Sequence, residues 1–338
     1  MFRYVARRLL VAIPQLVIIS FVLFALLNAT GDPVSAMGGR QPPSPADQER
    51  LRRALGLDRP VHEQYLTWLI GNEWYEIENR TNANTRYGIL RGDFGVSLIE
   101  RRPAAQVIAS RMGNTLLLML TAQVVIVVAA LFVGVLSAVR QYSIWDNIFT
   151  TASFITYSVP VFLMAYLLSY FLAFKFKQWG LPSLPASGMY DPRIGPTFAE
   201  VASHMVLPVL TISLISIAGY SRFIRSAMLE VIRSDYMRTA RSKGISERRI
   251  LFVHGFKNAA LPFVTLIGLD LPFLLAGAVV TETIFAWPGM GWLYIQHLER
   301  NDYAVVMGIL MMIAVAVVIF QLLTDIVYSL LDPRIRLN

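Results

Sequence analysis

The chain of 338 residues contains no cysteine. That removes disulfides, thiolate catalysis, cysteine zinc sites and iron–sulfur clusters. Charge is also scarce. Only 15% of residues are Asp, Glu, Lys or Arg, against about 25% in an ordinary soluble domain. Four histidines occur, His62, His204, His254 and His297, and none pair at metal spacing, so no metal is expected. There is no G-x-x-x-x-G-K-[ST] loop, no G-x-S-x-G and no H-E-x-x-H. No catalytic residue and no cofactor are therefore expected. What remains is apolar: 55% of residues are hydrophobic and the mean hydropathy is +0.53. A soluble enzyme and a disordered protein are both excluded by that balance.

The apolar residues form long runs. About 20 of them in a helix, at about 1.5 Å each, cross a hydrocarbon core of roughly 30 Å. Leu9–Leu27, Met112–Val139, Asn147–Phe174 and Tyr303–Thr324 carry no charge. Val201–Ser221 carries only His204, and Ala260–Phe285 is interrupted by Asp270 and Glu282. The expected fold class is an all-α polytopic membrane protein with six transmembrane helices. Its divisions are 1–27 (N-terminus and first span), 28–111 (a long structured external loop) and 112–338 (a five-span core). The first span follows Arg3, Arg7 and Arg8, and no small-x-small cleavage site follows it, so it reads as an uncleaved anchor.

Charge placement sets the orientation. The segment 222–259 has nine basic residues and three acids, whereas 28–111 has eleven and ten. Both termini are therefore expected in the cytoplasm. Arg334 and Arg336 in the tail agree with this. In the external loop, Ser44-Pro45 with Asp47 reads as a helix start and Gly56 as its end. A second helix from Pro60 to Gly71 carries Val61, Tyr65, Trp68 and Leu69. It reads as a helix on the membrane face with Trp68 as anchor, or as a docking surface. Asn79-Arg80-Thr81 matches a glycosylation sequon, a pattern common by chance.

The internal segment is the most informative. Asp235 is placed to cap a helix with Tyr236, Met237 and Ala240 on one face. Gly244 permits a left-handed turn. Ser246 caps a second helix, and Ile245 and Ile250 flank that cap as a hydrophobic staple. Three readings compete: a topology-setting basic loop, a nucleic-acid-reading helix–turn–helix, and a docking element for a cytoplasmic protein. Two membrane spans flank the segment, which disfavours nucleic acid. Caps at both ends exceed what topology requires, which favours docking.

At these residues the sequence resembles a known family. Arg238-Thr239-Ala240-Arg241-Ser242-Lys243-Gly244, with Asn258-Ala259-Ala260-Leu261-Pro262, is similar to the cytoplasmic "EAA" motif of binding-protein-dependent ABC importer permeases. The form is that of the dipeptide/oligopeptide/nickel branch. Of the triplet itself only Ala240 matches. The resemblance extends over nearly the whole chain. It includes Tyr4-Val5-Ala6-Arg7-Arg8-Leu9-Leu10, Gly31-Asp32-Pro33, Gly92-Asp93-Phe94-Gly95-Val96-Ser97 and Asn114-Thr115-Leu116. It continues through Ser158-Val159-Pro160, Leu207-Pro208, and Glu282-Thr283-Ile284-Phe285 with Trp287-Pro288-Gly289-Met290-Gly291. About twenty residues near 73–90 look like an insertion.

The resemblance implies a B-type permease subunit in a bacterial or archaeal inner membrane. Its implied partners are a second homologous permease, two cytoplasmic ATPases and an external solute-binding protein, with no nucleic acid. Tyr236, Met237, Ala240 and Arg241 would contact the ATPase, with Gly244 as the turn and Ile245 and Ile250 holding its shape. Peptides are the leading substrate; nickel, glutathione and oligosaccharides are alternatives within the branch. A stand-alone secondary transporter and a membrane-embedded enzyme are the competing classes. Six spans without an internal repeat are few for the former.

Asp270, Glu282 and Asp325 sit in or beside spans. A mid-membrane charge costs at least about 2.5–3.5 kcal/mol, so such groups face a cavity or a partner. Asp270 and Glu282 are candidates for the path or gate. Pro160, Pro208 and Pro272 are expected to kink their spans, and Pro160 joins the path or gate candidates.

Overall fold

The computed structural model describes residues 2–30, 34, 44–72, 87–276 and 279–331. Gly31-Asp32-Pro33, the sequon Asn79-Arg80-Thr81, most of the 73–90 segment, and Arg334 and Arg336 lie outside the described residues, as do the side chains of Arg3, His254 and Pro272. The described secondary structure is helical, with an isolated bridge between Val96 and Pro103. The chain divides into two compact units. One comprises residues 1–113 and 289–319, and the other 114–288 and 320–338.

The first unit begins with α1 (Phe2–Thr30), an apolar helix containing Pro14. Helix α2 (Pro45–Leu55) starts as its caps dictate. Ser44 Oγ accepts from the Asp47 N–H at 3.2 Å, and Gly56 ends the helix at φ 70°. Helix α3 (Val61–Ile70) packs its aromatic stripe on α1. Tyr65 lies edge-on to Phe21 and Phe24, with Trp68 5.9 Å from Phe24. The Tyr65 hydroxyl meets Ser20 Oγ at 2.8 Å and donates to the Val17 carbonyl. This apolar face is therefore spent on α1. The start of α4 (Ala104–Val139), α12 (Met290–Glu299) and the start of α13 (Tyr303–Leu331) complete the unit. Their core is Ala104, Val107, Ile108, Met290, Leu293, Val305 and Ile309.

The second unit holds the rest of α4, then α5 (Ile144–Ser158) and α6 (Val161–Leu168). A π-helical stretch, Ser169–Lys175, extends α6. Helix α7 (Phe198–Ile232) is long and contains Pro208. Helices α8 (Asp235–Ser242) and α9 (Glu247–Arg249) follow. A second π-helical stretch, Ile250–Phe256, leads into α10 (Lys257–Ala276), and α11 (Val279–Ile284) comes next. The main core lies among α4, α7 and α10, with Leu118, Ile126, Ile224, Met228, Phe263 and Trp287 buried.

Among the described residues four helices are long and apolar enough to cross a membrane: α1, α4, α7 and α13. Two bent pairs pass the same test as units. Residues 144–158 and 161–178 meet at 109°, and 247–260 and 262–268 at 41°. Pro160 therefore does more than kink a span. Its fixed φ and missing N–H stand between one helix ending at Ser158 and another starting at Val161. Pro208, by contrast, stays inside a continuous α7.

Candidate functional site: the polar helical turn and the buried polar residues

Helix α7 does not stop where charge first appears. It continues eleven residues past Ser221 to Ile232. Two arginines are accommodated on the way. Arg222 lies over the Phe154 and Tyr157 rings at 5.0 and 4.7 Å. Arg225 gives Nε and Nη2 to the two oxygens of buried Asp146, at 2.8 and 2.9 Å. Asp146 also accepts from the Tyr142 N–H, while Ser143 caps α5 from the Asp146 N–H. The pair holds its charges together, and the Asp146 oxygens have further donors, which a buried carboxylate requires.

After Ile232 the chain turns at Ser234, which stands at the N-cap position; Asp235 is the first helical residue rather than the cap. Helix α8 is two-faced. Met237 and Ala240 are buried against Ile250, with Ile245 and Leu251 beside them. Tyr236, Arg238 and Arg241 are exposed. Tyr236 thus does not share a face with Met237 and Ala240. Gly255 makes room for Met237: a Cβ there would lie 3.2 Å from its terminal methyl. Gly244 carries the turn at φ 73°, with open space around it. Across that turn Arg241 grips Glu247 with two hydrogen bonds, 2.9 and 3.2 Å. Being exposed, this bridge contributes at most about 1 kcal/mol. The second helix of the turn does not end. It runs through the π-helical stretch into α10, bending 41° around Leu261.

The acids expected in or beside spans have partners. The Tyr220 hydroxyl donates to Asp270. Glu282 is fully buried and accepts from Thr115 Oγ1 at 2.9 Å. Asn114 donates to the Pro288 carbonyl at 2.9 Å, and Trp287 Nε1 donates back to the Asn114 carbonyl at 3.0 Å. Two distant motifs, Asn114-Thr115 and Glu282 to Pro288, are therefore stitched together by side chains. Pro160 stands apart from them, at the 109° break. Among the described residues no group of three His, Cys, Asp or Glu could hold a metal ion.

Sequence reasoning misses Asp146 and Asp302. Ser143-x-x-Asp146 signals only a helix start. Asp302 precedes α13 and is fully buried among Ser97, the Ile99 N–H and His297. Burial works to raise its pKa. The hydrogen bonds from His297, Ser97 and the Ile99 N–H outweigh that, and the carboxyl is held below the ordinary aspartate value.

Long apolar helices, buried acids with polar partners and a folded basic turn are the features of an α-helical membrane protein. The chain belongs to the binding-protein-dependent transport system inner membrane component family, whose model matches residues 130–337. A companion model for the N-terminal part of such membrane components matches residues 1–119. The oligopeptide transport system permease protein AppB of Bacillus subtilis is 37% identical, covering 98% of this chain and 99% of its own length. The dipeptide transport system permease protein DppB of Escherichia coli is 35% identical, covering 99% of both. A chain of the inward-facing MetNI methionine ABC transporter has a similar fold, with a TM-score of 0.52 at 18% identity. The match covers 67% of this chain and 97% of that one.

Proposed function

We propose that this permease subunit forms half of the path of an ATP-driven importer of short peptides. Its partners are a second homologous permease, two cytoplasmic ATPases and an external solute-binding protein, and ATP is hydrolysed in the ATPases. The chain crosses the membrane six times with both termini in the cytoplasm. Register along α7 supports counting α5 and α6 as one broken span. Asp146 meets Arg225, Ser153 meets Ser221, and Ala165 packs with Leu207. Both halves of the pair therefore pack on α7, meeting each other at 109°.

The observation that carries the reading is the two-faced turn at 235–250. Its apolar face is seated on the chain's own Ile250, and its polar face, with Tyr236 and Arg241, is exposed. Tyr236 and Arg241 contact the ATPase. Met237, Ala240, Ile245 and Ile250 hold the element, and Gly244 shapes its turn. Asp270, Glu282 and Pro160 belong to the path or its gate. Peptide as substrate follows the relatives named for oligopeptides and dipeptides; nickel, glutathione or an oligosaccharide would use the same machinery.

The test is uptake of radiolabelled Ala-Ala into proteoliposomes holding the chain with its gene neighbours' permease, ATPases and binding protein. Uptake that needs ATP inside, the ATPases and the binding protein supports the reading. Uptake by this chain alone, driven by an ion gradient, overturns it in favour of a secondary transporter.

A further inference from the structure

One turn of α7, Ser221 to Arg225, is held from two sides. On the α4 side there is no space at all. A Cβ on Gly134 would lie 2.7 Å from the Ser221 carbonyl oxygen and 2.8 Å from Ile224 Cβ. Backbone thus meets backbone there, with Ile224 fully buried. On the α5 side, Ser153 and Ser221 hydroxyls are 3.5 Å apart, and Asp146 takes the bidentate Arg225. No other turn of α7 combines, among the described residues, a glycine-permitted backbone contact with a buried ion pair.

Position gives this clamp its meaning. From Arg225 to the end of α7 at Ile232 is about 10 Å, and from Ser221 back to Pro208 about 20 Å. The short arm ends two residues before α8. The long arm carries Val209, which packs in the main core, and ends near Leu207, which packs with Ala165 of α6. We infer that Ser221–Arg225, clamped by Gly134 and by Asp146, is the fulcrum of a lever that turns movement of α8 into a larger, opposite movement of the α6 end of α7. With arms of about 10 and 20 Å, a shift at α8 arrives at Pro208 about doubled. The inference rests on the reading of α8 as the ATPase-contacting element. Asp146 and Arg225 act here as positioning residues.

A fulcrum contact stays closed through the cycle, whereas a gate contact opens. The absence of native cysteine permits a clean test. In the full transport complex, Ser153→Cys with Ser221→Cys is oxidised, and bridge formation is read by loss of thiol labelling. Ala-Ala uptake by the bridged complex is expected to stay within about twofold of the reduced one, because the required Cβ spacing, about 3.8 Å, suits a pair already touching. Bridging that abolishes uptake, with recovery on reduction, overturns the fulcrum. Failure to bridge places the residues apart and also overturns it.

A second arm reads coupling. Asp146→Asn is expected to lower Ala-Ala taken up per ATP hydrolysed about tenfold, and Asp146→Arg with Arg225→Asp to restore most of it. An unchanged ratio in Asp146→Asn overturns the lever. The wild-type complex separates the two levels. If it shows no ATP-driven uptake, the importer reading fails and the lever falls with it. If it transports and the variants behave as wild type, only the lever fails.

Discussion

Ser97 donates its hydroxyl to Asp302 at 2.5 Å across 205 positions of sequence. The bond ties the loop before α4 to the residue just before α13. His297 Nδ1 lies 3.0 Å from the same carboxylate oxygen, and His297 Nε2 lies 3.8 Å from Glu100. Glu100 is itself paired with Arg102. Because the folded pKa of Asp302 is lowered, its stabilising contribution is complete above the unfolded aspartate value. It is lost as pH falls through the lower folded value. Asp302→Asn should therefore reduce thermal stability in detergent by about 1.5–3 kcal/mol at neutral pH. The difference from wild type should persist down to the ordinary aspartate range and close only below it. A difference that closes between pH 7 and 5 would show that another group carries the linkage.

Gly244 should act through backbone conformation alone. Its φ is 73°, and a Cβ there meets nothing within 4 Å. A left-handed residue costs about 1–2 kcal/mol for an ordinary side chain and more for a β-branched one. Asn adopts this region at lower cost. Gly244→Val should insert normally yet lose Ala-Ala uptake while the ATPases still hydrolyse ATP, and Gly244→Asn should retain most uptake. Full uptake by the valine variant would remove the turn from the coupling assignment.

How far the sequence discloses the fold depends on the range of the interaction. Helix α2 is legible at both ends because its signals, Ser44, Pro45 and Gly56, act within one turn. The turn at Gly244 is legible for the same reason. The end of α7 is not. Charge alone ends the span at Ser221, but Arg222 finds two rings on α5 and Arg225 finds Asp146, so the helix continues. A partner 79 residues away leaves no local mark. Pro160 signals a kink, yet whether the chain bends slightly or breaks by 109° depends on what α6 packs against. The set Tyr236, Met237, Ala240 and Arg241 is legible as a segment. Its division into an inward and an outward face depends on Ile250 and Gly255 beneath it.

Gly268 on α10 marks a close approach to α13. A Cβ there would lie 2.6 Å from both Thr324 Oγ1 and Cγ2. Thr324 cannot yield freely, since its hydroxyl donates to the Phe320 carbonyl at 2.7 Å. Gly268→Ala should therefore destabilise by about 1–3 kcal/mol, as overpacking does. Thr324→Ala removes both of the closest atoms. The double variant should recover at least half of the loss, read as midpoint of thermal unfolding in detergent. Additive losses would show that the backbone, not Thr324, sets the limit.

Glu282 distinguishes a gate from a brace. It is fully buried and takes the Thr115 hydroxyl at 2.9 Å, while Asn114 and Trp287 close the same junction through backbone carbonyls. Thr115→Val removes one donor from a buried carboxylate and should cost about 1.5–3 kcal/mol. Glu282→Gln keeps a side-chain acceptor for Thr115 but removes the carboxyl group. If the junction only braces the fold, uptake should fall in proportion to the amount of folded complex in both variants. If it opens to admit substrate, Glu282→Gln should lower Ala-Ala uptake per folded complex several-fold, with ATPase association unchanged. The second outcome is expected. A fully buried acidic group is costly to keep, and the neighbouring Asn114 and Trp287 bonds would brace the junction without it.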